Sequence, residues 1–334
     1  MSSTPIADHA LLSDCHSAAL VSREGSVEWL CFPRFDSPSI FGRLLDDEAG
    51  HWSIRPVADF QVARRYLDKT MVLETTFTTT DGTVTVVDAL AMGANERGHD
   101  IGGGAPSLLL RQVEGVAGRV ELEIEYVPRT EYGLIHPLLE QVEGGIGGRG
   151  GADLTMLSAP DGLELGAGAA YGRFDISAGE RVAFGLHHGR FGGEPPRLWS
   201  QDELAQRLAD TVSGWTSWSD LHQTYTGPWH DQVHNSGRVL QALTYYPTGS
   251  IVAAATTSLP EAAGGNRNWD YRFSWVRDAC FTMDALWVAA CPDEAENFFS
   301  YLSTAAATSL GRGRDLQIMF GVGGERDLSE RELS

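Results

Sequence analysis

Charged and aromatic side chains alternate in the segment GGNRNWDYRFSWVRDA, which spans residues 264–279. Sugars present C–H faces that pack on aromatic rings, and hydroxyl groups that need hydrogen-bond donors and acceptors. An adjacent Arg and Asp, such as Arg277 and Asp278, can hold two neighbouring hydroxyls, and each charged hydrogen bond contributes about 1.5–3 kcal/mol in a dry pocket. The residue types therefore indicate carbohydrate binding.

A purely structural interpretation fits the same residues. Asp278 would then be the N-cap or a first-turn acid of a helix, Arg277 its surface partner, and the aromatic side chains ordinary core. Spacing alone favours this structural interpretation.

The overall charge argues against two classes of partner. The 334 residues carry a formal net charge of -20, with a pI near 4.8 and no Lys/Arg cluster. Such a surface repels a phosphate backbone and anionic membranes, so we expect neither nucleic acid nor a membrane as a partner. The first residues lack a signal-peptide pattern, and no apolar run approaches the ~20 residues of a membrane helix. We therefore expect a cytoplasmic protein.

The cysteines and histidines give no metal-binding pattern. The four cysteines have neither C-x-x-C spacing nor paired histidine ligands, so we expect buried, reduced thiols at Cys15, Cys31, Cys280 and Cys291. His187 and His188 lie in a strand-and-turn region, where a surface role is expected. The sequence predicts no metal site.

Residues 1–198 have the pattern of an antiparallel β-sandwich. Apolar runs flank residues 23–26, and Asp81-Gly82 separates two Val/Thr-rich runs, so both regions are predicted to form β-hairpins. From Val120 to Tyr126, apolar residues alternate with Glu, as in a strand with one wet face. The glycine-rich residues 93–106 and 143–154 lack phosphate-loop spacing and are interpreted as long hairpin loops.

The apolar period becomes helical after residue 198. Ser200 and Glu203 have capping-box spacing, which predicts a linker helix within residues 199–226. Helices are also predicted within residues 227–249, 277–292 and 293–310. This second domain, residues 227–334, is short and ends in a polar stretch, so we expect it to be truncated.

Three stretches resemble glycoside hydrolase family fifteen, the glucoamylase and bacterial trehalase family. Residues 248–286 are similar to its first catalytic signature, residues 6–46 resemble the N-terminal β-domain of its trehalase-like bacterial members, and residues 316–334 resemble a later catalytic segment. The resemblance implies a β-sandwich followed by the first helices of an (α/α)6 barrel. It also implies an inverting glycosidase that needs no organic cofactor and acts on trehalose or a related α-glucoside.

The resemblance assigns roles to individual residues of the opening segment. Arg277 and Asp278 would bind hydroxyls of the non-reducing glucose in the first subsite. Trp275 would line that pocket, and Tyr271 would lie near the ring about to be cleaved.

Two neighbouring residues are weaker candidates, and a third is expected only to pack. Trp269 and Asp270 are expected to support the loop rather than to contact sugar. Phe273 stands where family members often have Tyr, so we expect it to pack against other side chains.

Inversion needs two carboxyl groups about 6.5–9.5 Å apart, one acid and one base. The resemblance places both catalytic Glu residues beyond Ser334, so no catalytic residue is assigned within this chain. Glu325, Glu330 and Glu332 lie in a charged run that is typical of a solvated segment, and we do not expect them to be proton donors.

Two alternative functions stay open. The protein could be a glucoamylase acting on maltooligosaccharides. It could also be a non-catalytic carbohydrate-binding module, because aromatic stacking does not require a carboxylate pair. The expected partner is an α-glucoside substrate, and the sequence leaves the oligomeric state open.

Overall fold

The computed structural model describes residues 4–222, 224–257, 259, 265, 267–289, 291–310 and 316–329. Within them the strands are β1 (His9–Ser13), β2 (Ala18–Ser22), β3 (Ser26–Cys31), β4 (Ser39–Phe41), β5 (His51–Pro56), β6 (Gln61–Tyr66), β7 (Leu73–Thr78), β8 (Gly82–Leu90), β9 (Leu108–Val127), β10 (Leu138–Val142), β11 (Gly145–Gly150), β12 (Asp153–Ser158), β13 (Glu164–Gly166), β14 (Ala169–Ser177), β15 (Arg181–Arg190), β16 (Thr244–Tyr245), β17 (Ser250–Ile251), β18 (Ser274–Trp275) and β19 (Met319–Phe320). The helices are α1 (Gln201–His222), α2 (His230–Ala242), α3 (Val276–Val288) and α4 (Pro292–Leu310), with 3-10 turns at Ile6–Asp8 and Gly98–Asp100.

The long strand β9 organises the first half of the chain. Its first part pairs with β8 and β15, and its second part pairs with β5 and β14, always antiparallel. Side chains from both groups of strands share one core, which includes Trp52, Phe77, Leu122 and Phe184. The prediction of an antiparallel β domain followed by helices is confirmed.

A fully buried ion pair lies inside this β domain. The Arg111 guanidinium donates to Asp88 at 2.8 Å and to the carbonyl oxygens of Trp52 and Gly25, each at 2.7 Å. Both charged side chains have no exposed surface. Because several oxygen atoms accept hydrogen bonds from the Arg111 guanidinium, its buried charge is compensated.

Local patterns in the sequence produce the predicted elements. Strands β2 and β3 form one hairpin, and β7 and β8 form the other. At the start of α1, the Ser200 amide donates to the Glu203 carboxylate at 2.8 Å, and the Glu203 amide donates to Ser200 Oγ at 3.3 Å. These reciprocal bonds are the predicted capping box.

Residues 143–154 are not a long loop, so that prediction was wrong. They contain β11, which pairs with β10 on one side and β12 on the other. A Cβ atom at Gly145 would collide with the Leu157 carbonyl oxygen, and one at Gly148 would collide with Thr155 Oγ1. Glycine therefore permits close strand contact here. Residues 93–106 do form the predicted loop, which joins β8 to β9 and contains the Gly98–Asp100 turn.

Two predictions about exposure also need correction. Cys280 is exposed on α3, whereas the other three cysteines are buried, and all four are free thiols. His188 is buried, with Nε2 lying 3.0 Å from Asp153 Oδ1 across the paired strands β12 and β15. Successive side chains of a strand lie on opposite faces of the sheet, and His188 lies on the buried face. The predicted surface role is therefore wrong for His188.

The helices pack on the β domain through a second core. This core joins Leu108 of β9 to Trp215 of α1, Leu286 of α3, Phe298 of α4 and Phe320 of β19. None of the helices in the described residues is long and apolar enough to cross a bilayer.

Candidate functional site

The candidate segment is held by backbone hydrogen bonds on both sides. Strand β18 pairs with β19, and the Val276 amide donates to the Ile318 carbonyl at 3.0 Å. On the other side, the amides of residues 253 and 254 donate to the carbonyls of Phe273 and Tyr271 at 3.1 and 2.8 Å. Helix α3 then begins at Val276. Residues 271–276 therefore form a platform that is anchored on both sides and leads into a helix N-terminus.

Arg277 and Asp278 occupy the first turn of α3. Arg277 Nη2 lies 3.0 Å from Asp278 Oδ2, and their side chains are 66% and 34% exposed. A carboxylate in the first turn also interacts favourably with the helix dipole. Asp278 is therefore a first-turn acid, as the structural interpretation predicted. Both side chains are nevertheless exposed enough to be accessible to a ligand.

Two aromatic rings adjoin this ion pair. The rings of Tyr271 and Trp275 are 5.5 Å apart and inclined by 37°, and the Arg277 guanidinium carbon lies 5.8 Å from the Trp275 ring. Trp275 Nε1 donates to the Asp270 carbonyl at 3.0 Å, which fixes the indole. Tyr271, Trp275, Arg277 and Asp278, the four principal candidates, thus form one partly exposed surface, which we call the platform surface.

The two weaker candidates lie differently. The Asp270 carboxylate accepts hydrogen bonds from the Arg272 amide and Nε, each at 3.0 Å, and from Nη2 at 2.7 Å. Trp269 is 43% exposed. Asp270 is therefore engaged with its own loop, whereas Trp269 presents an aromatic surface beside it.

Arg272 is the important residue that sequence reasoning missed. It is 2% exposed and reaches into the β domain, where it donates to the Ser37 carbonyl at 2.6 Å and to the Tyr132 hydroxyl at 2.7 Å. Its guanidinium carbon also lies 5.6 Å from the Trp29 ring. Arg272 therefore links the platform directly to the N-terminal domain.

The surroundings of Arg272 keep it charged. Burial by itself would lower the pKa of the guanidinium, but the neighbouring Cys31 sulfur and Asp270 carboxylate raise that pKa above its usual range. Asp270 and Arg272 are two residues apart, and an Asp side chain commonly accepts a hydrogen bond from the amide two residues on, so their sequence spacing could have suggested a local pair. The partners in the β domain leave no such local signal.

Glu325 belongs to a second link between the halves of the chain. Arg34 Nη2 donates to Glu325 Oε1, and the Gly323 amide donates to Glu325 Oε2, each at 2.9 Å. Burial by itself would raise the pKa of this carboxyl, but its backbone hydrogen bonds and Arg34 hold the pKa below its usual range. Such a carboxyl is ionised at neutral pH and suits an ion pair better than proton donation. Glu330 and Glu332 lie outside the described residues.

Two family models match this chain. The model described as trehalase-like, N-terminal, matches residues 1–166, and the model described as glycosyl hydrolases family 15 matches residues 227–334, including the platform. Residues 227–334 belong to glycosyl hydrolase family 15. This family 15 chain carries the trehalase-like region ahead of the hydrolase region, as its N-terminal resemblance predicted.

Several curated relatives of this family 15 chain are named trehalase. The trehalases of Mycolicibacterium smegmatis and Mycobacterium tuberculosis are each 37% identical to it over 98% of this chain, which corresponds to 51% and 50% of their own lengths. Trehalase 1 of Sulfolobus acidocaldarius is 34% identical over 86% of this chain and 46% of its own. The chain thus spans about half the length of these relatives.

Proposed function

We propose that the complete protein hydrolyses the α-glucosidic bond of trehalose or a related α-glucoside. The proposal draws on the family, on relatives named trehalase, and on the chemistry of the platform surface. The observation that carries it is the contact of an accessible Arg277–Asp278 pair with the Tyr271–Trp275 ring pair at the start of α3.

Each platform residue has a role in this proposal. Arg277 donates to ring hydroxyls of the non-reducing glucose, and Asp278 accepts from them, so that the pair selects hydroxyl positions. Trp275 and Tyr271 pack against C–H faces of the sugar. The bond from the Trp275 indole to the Asp270 carbonyl holds the stacking ring in place before substrate arrives.

Hydrolysis with inversion requires a protonated carboxyl at the leaving oxygen and an ionised carboxyl that activates water, about 6.5–9.5 Å apart. Glu325 is a poor candidate for the acid, because its lowered pKa keeps it ionised. Asp270 accepts three hydrogen bonds from Arg272 and faces its own loop. In line with the family resemblance, we propose that both catalytic carboxyl groups lie in sequence beyond Ser334.

The proposed architecture is a β-sandwich over residues 1–198, a linker over residues 199–226 and an (α/α)6 catalytic domain that begins at residue 227. Support comes from apolar side chains on the outer faces of the helices. Phe281 and Trp287 of α3 are 71% and 74% exposed, and Phe299 of α4 is 59% exposed. Further helices of a barrel would cover such faces, which are otherwise costly in water.

Glucose release from trehalose and from maltose tests the proposal, with the 334-residue chain compared with the protein of the complete reading frame. We expect the longer protein to cleave trehalose in preference to maltose. Preference for maltose would instead support a glucoamylase. A folded complete protein that binds trehalose without cleaving it would overturn hydrolysis and support a binding module.

A further inference from the structure

Three segments meet at a cluster of imidazole and carboxylate groups that shares no residue with the platform surface. His99 comes from the loop between β8 and β9, His222 is the last residue of α1, and Glu294 lies in the first turn of α4. One side-chain ligand atom from each lies within 4.8 Å of the others. Because the three residues are far apart in sequence, the cluster leaves no ligand spacing that sequence inspection could detect.

The hydrogen bonds of the two histidines determine which nitrogens face the carboxylate. His222 Nδ1 lies 2.8 Å from the Trp218 carbonyl oxygen, an acceptor, so this nitrogen carries hydrogen. His99 Nε2 lies 3.0 Å from Asp293 Oδ2, another acceptor. In each neutral ring the other nitrogen then carries a lone pair.

Both lone pairs point at the same carboxylate. His99 Nδ1 lies 3.1 Å from Glu294 Oε1, and His222 Nε2 lies 3.2 Å from Glu294 Oε2. At these distances each imidazole nitrogen and carboxylate oxygen repel one another unless a proton or a metal ion lies between them. The separations are comparable with those between ligand atoms that share one ion through bonds of about 2.0–2.1 Å.

The carboxylate itself is buried and incompletely satisfied. Glu294 is 6% exposed, and its Oε1 accepts a hydrogen bond from Trp218 Nε1 at 2.9 Å. No donor in the described part of the chain is aligned with Oε2, although that oxygen is buried. A buried oxygen of this kind needs a hydrogen-bond donor or a cation as its partner.

We propose that His99, His222 and Glu294 bind a divalent transition-metal ion of the Zn²⁺ class. Two imidazoles and a carboxylate are ligands suited to such ions, whereas Mg²⁺ and Ca²⁺ prefer oxygen ligands throughout. Asp293 and the Trp218 carbonyl hold the outer nitrogens, which is the usual arrangement around metal-binding histidines. The charges of Glu294 and Asp293 together balance a divalent cation.

The ion would join the β domain, the linker helix and α4 at one point. Its role is therefore structural, and its binding does not depend on the proposed hydrolase activity. Metal binding and thermal stability can be measured without substrate, so a failure of this inference is distinguishable from a failure of the proposed function.

The test uses protein without a polyhistidine tag, stripped with a chelator and titrated with Zn²⁺ by calorimetry and with Co²⁺ by visible absorption. We expect one high-affinity ion per chain and a melting temperature that rises with metal concentration. His99→Ala should abolish this binding, and Asp293→Asn should weaken it by about 10- to 100-fold. These side chains are 44% and 61% exposed, so both variants are expected to fold.

His230→Ala is the matched control, because His230 and His234 on α2 form a second histidine pair with rings 5.7 Å apart. This variant should keep full affinity and the full rise in melting temperature. Loss of binding in His230→Ala but not in His99→Ala would overturn the assignment. So would the absence of Zn²⁺ and Co²⁺ binding in the folded parent chain, because the cluster would then be held by protons alone.

Discussion

The Asp270 carboxylate accepts hydrogen bonds from Arg272 Nε at 3.0 Å and Nη2 at 2.7 Å. The same guanidinium donates to the Ser37 carbonyl and the Tyr132 hydroxyl of the β domain. Arg272 is thus shared between the candidate site and the N-terminal half. The β domain consequently does more than precede the hydrolase region, because it fixes the loop that carries Trp275.

Replacing Arg272 by Ala should destabilise the protein strongly. The change leaves Asp270 and the β-domain acceptors without their cationic partner, and breaking such a buried pair costs about 3–5 kcal/mol. Chemical denaturation gives the free energy of unfolding. Tyr132→Phe is a milder version, because it keeps the ring and removes one hydrogen bond to the charged group, at a cost of about 1.5–3 kcal/mol.

Two surface residues serve as controls for this link. Arg277→Ala, in the same segment, and Tyr171→Phe, at a tyrosine that is 43% exposed in the β domain, should each change the free energy of unfolding by less than about 0.5 kcal/mol. If Arg272→Ala were as stable as these variants, the guanidinium would not be holding the two halves together.

In the complete protein, replacing Arg277 should lower activity without lowering stability. Removal of its hydrogen bonds to substrate hydroxyls by Arg277→Ala should lower kcat/KM for trehalose by about 10- to 150-fold and leave the fold intact. Steady-state kinetics, with circular dichroism to check folding, measure both effects. Unchanged kcat/KM would remove Arg277 from the proposed sugar site.

Glu325→Gln distinguishes an ion-pair residue from a catalytic acid. Because the pKa of Glu325 is held below its usual range, the carboxyl carries no proton to donate at neutral pH. We expect kcat of the complete protein to fall far less than the ~10²- to 10⁴-fold that loss of a general acid causes. Arg34→Gln, which removes the ion-pair partner, should have a similarly small effect. A large loss in Glu325→Gln alone would reassign the acid.

The parts of the fold predicted from sequence have short-range causes. Ser200 and Glu203 are three residues apart, so their capping box depends only on local geometry. The alternation from Val120 to Tyr126 likewise places buried side chains on one face of β9, whatever the rest of the chain does. The types and order of residues 271–278 pointed to a common surface for the same reason.

The missed features depend on contacts between distant residues. Arg272 meets Tyr132 across 140 positions, and Arg111 is buried against Asp88 through strand register that no local pattern reveals. Strand β11 was mistaken for a loop because its glycines indicate turns locally, whereas they are required by the close approach of β12. Each of these features depends on contacts between residues that are far apart in sequence, which local patterns do not reveal.

The stability of the β domain should depend on pH through His187. Its Nδ1 lies 2.9 Å from the Arg197 amide and 3.2 Å from Trp199 Nε1, and both groups are donors. This nitrogen is therefore an acceptor in the neutral ring, at the point where the connection from β15 leads towards α1. Burial first, and then the nearby Arg197 charge, lower the pKa of His187, although its hydrogen bond with the Arg197 backbone opposes them.

His187→Gln should make the stability of the protein less dependent on pH. An unfolded histidine titrates near about 6.5, so between that pH and the lower folded pKa the unfolded parent chain binds more protons. The free energy of unfolding of the parent should therefore fall as the pH is lowered from above 6.5 through this window. Gln can accept the same hydrogen bond without titrating, whereas His136→Gln, at an exposed histidine, should retain the parent's pH dependence. Urea unfolding at closely spaced pH values makes the comparison, and equal slopes in all three proteins would show that His187 is not the group responsible.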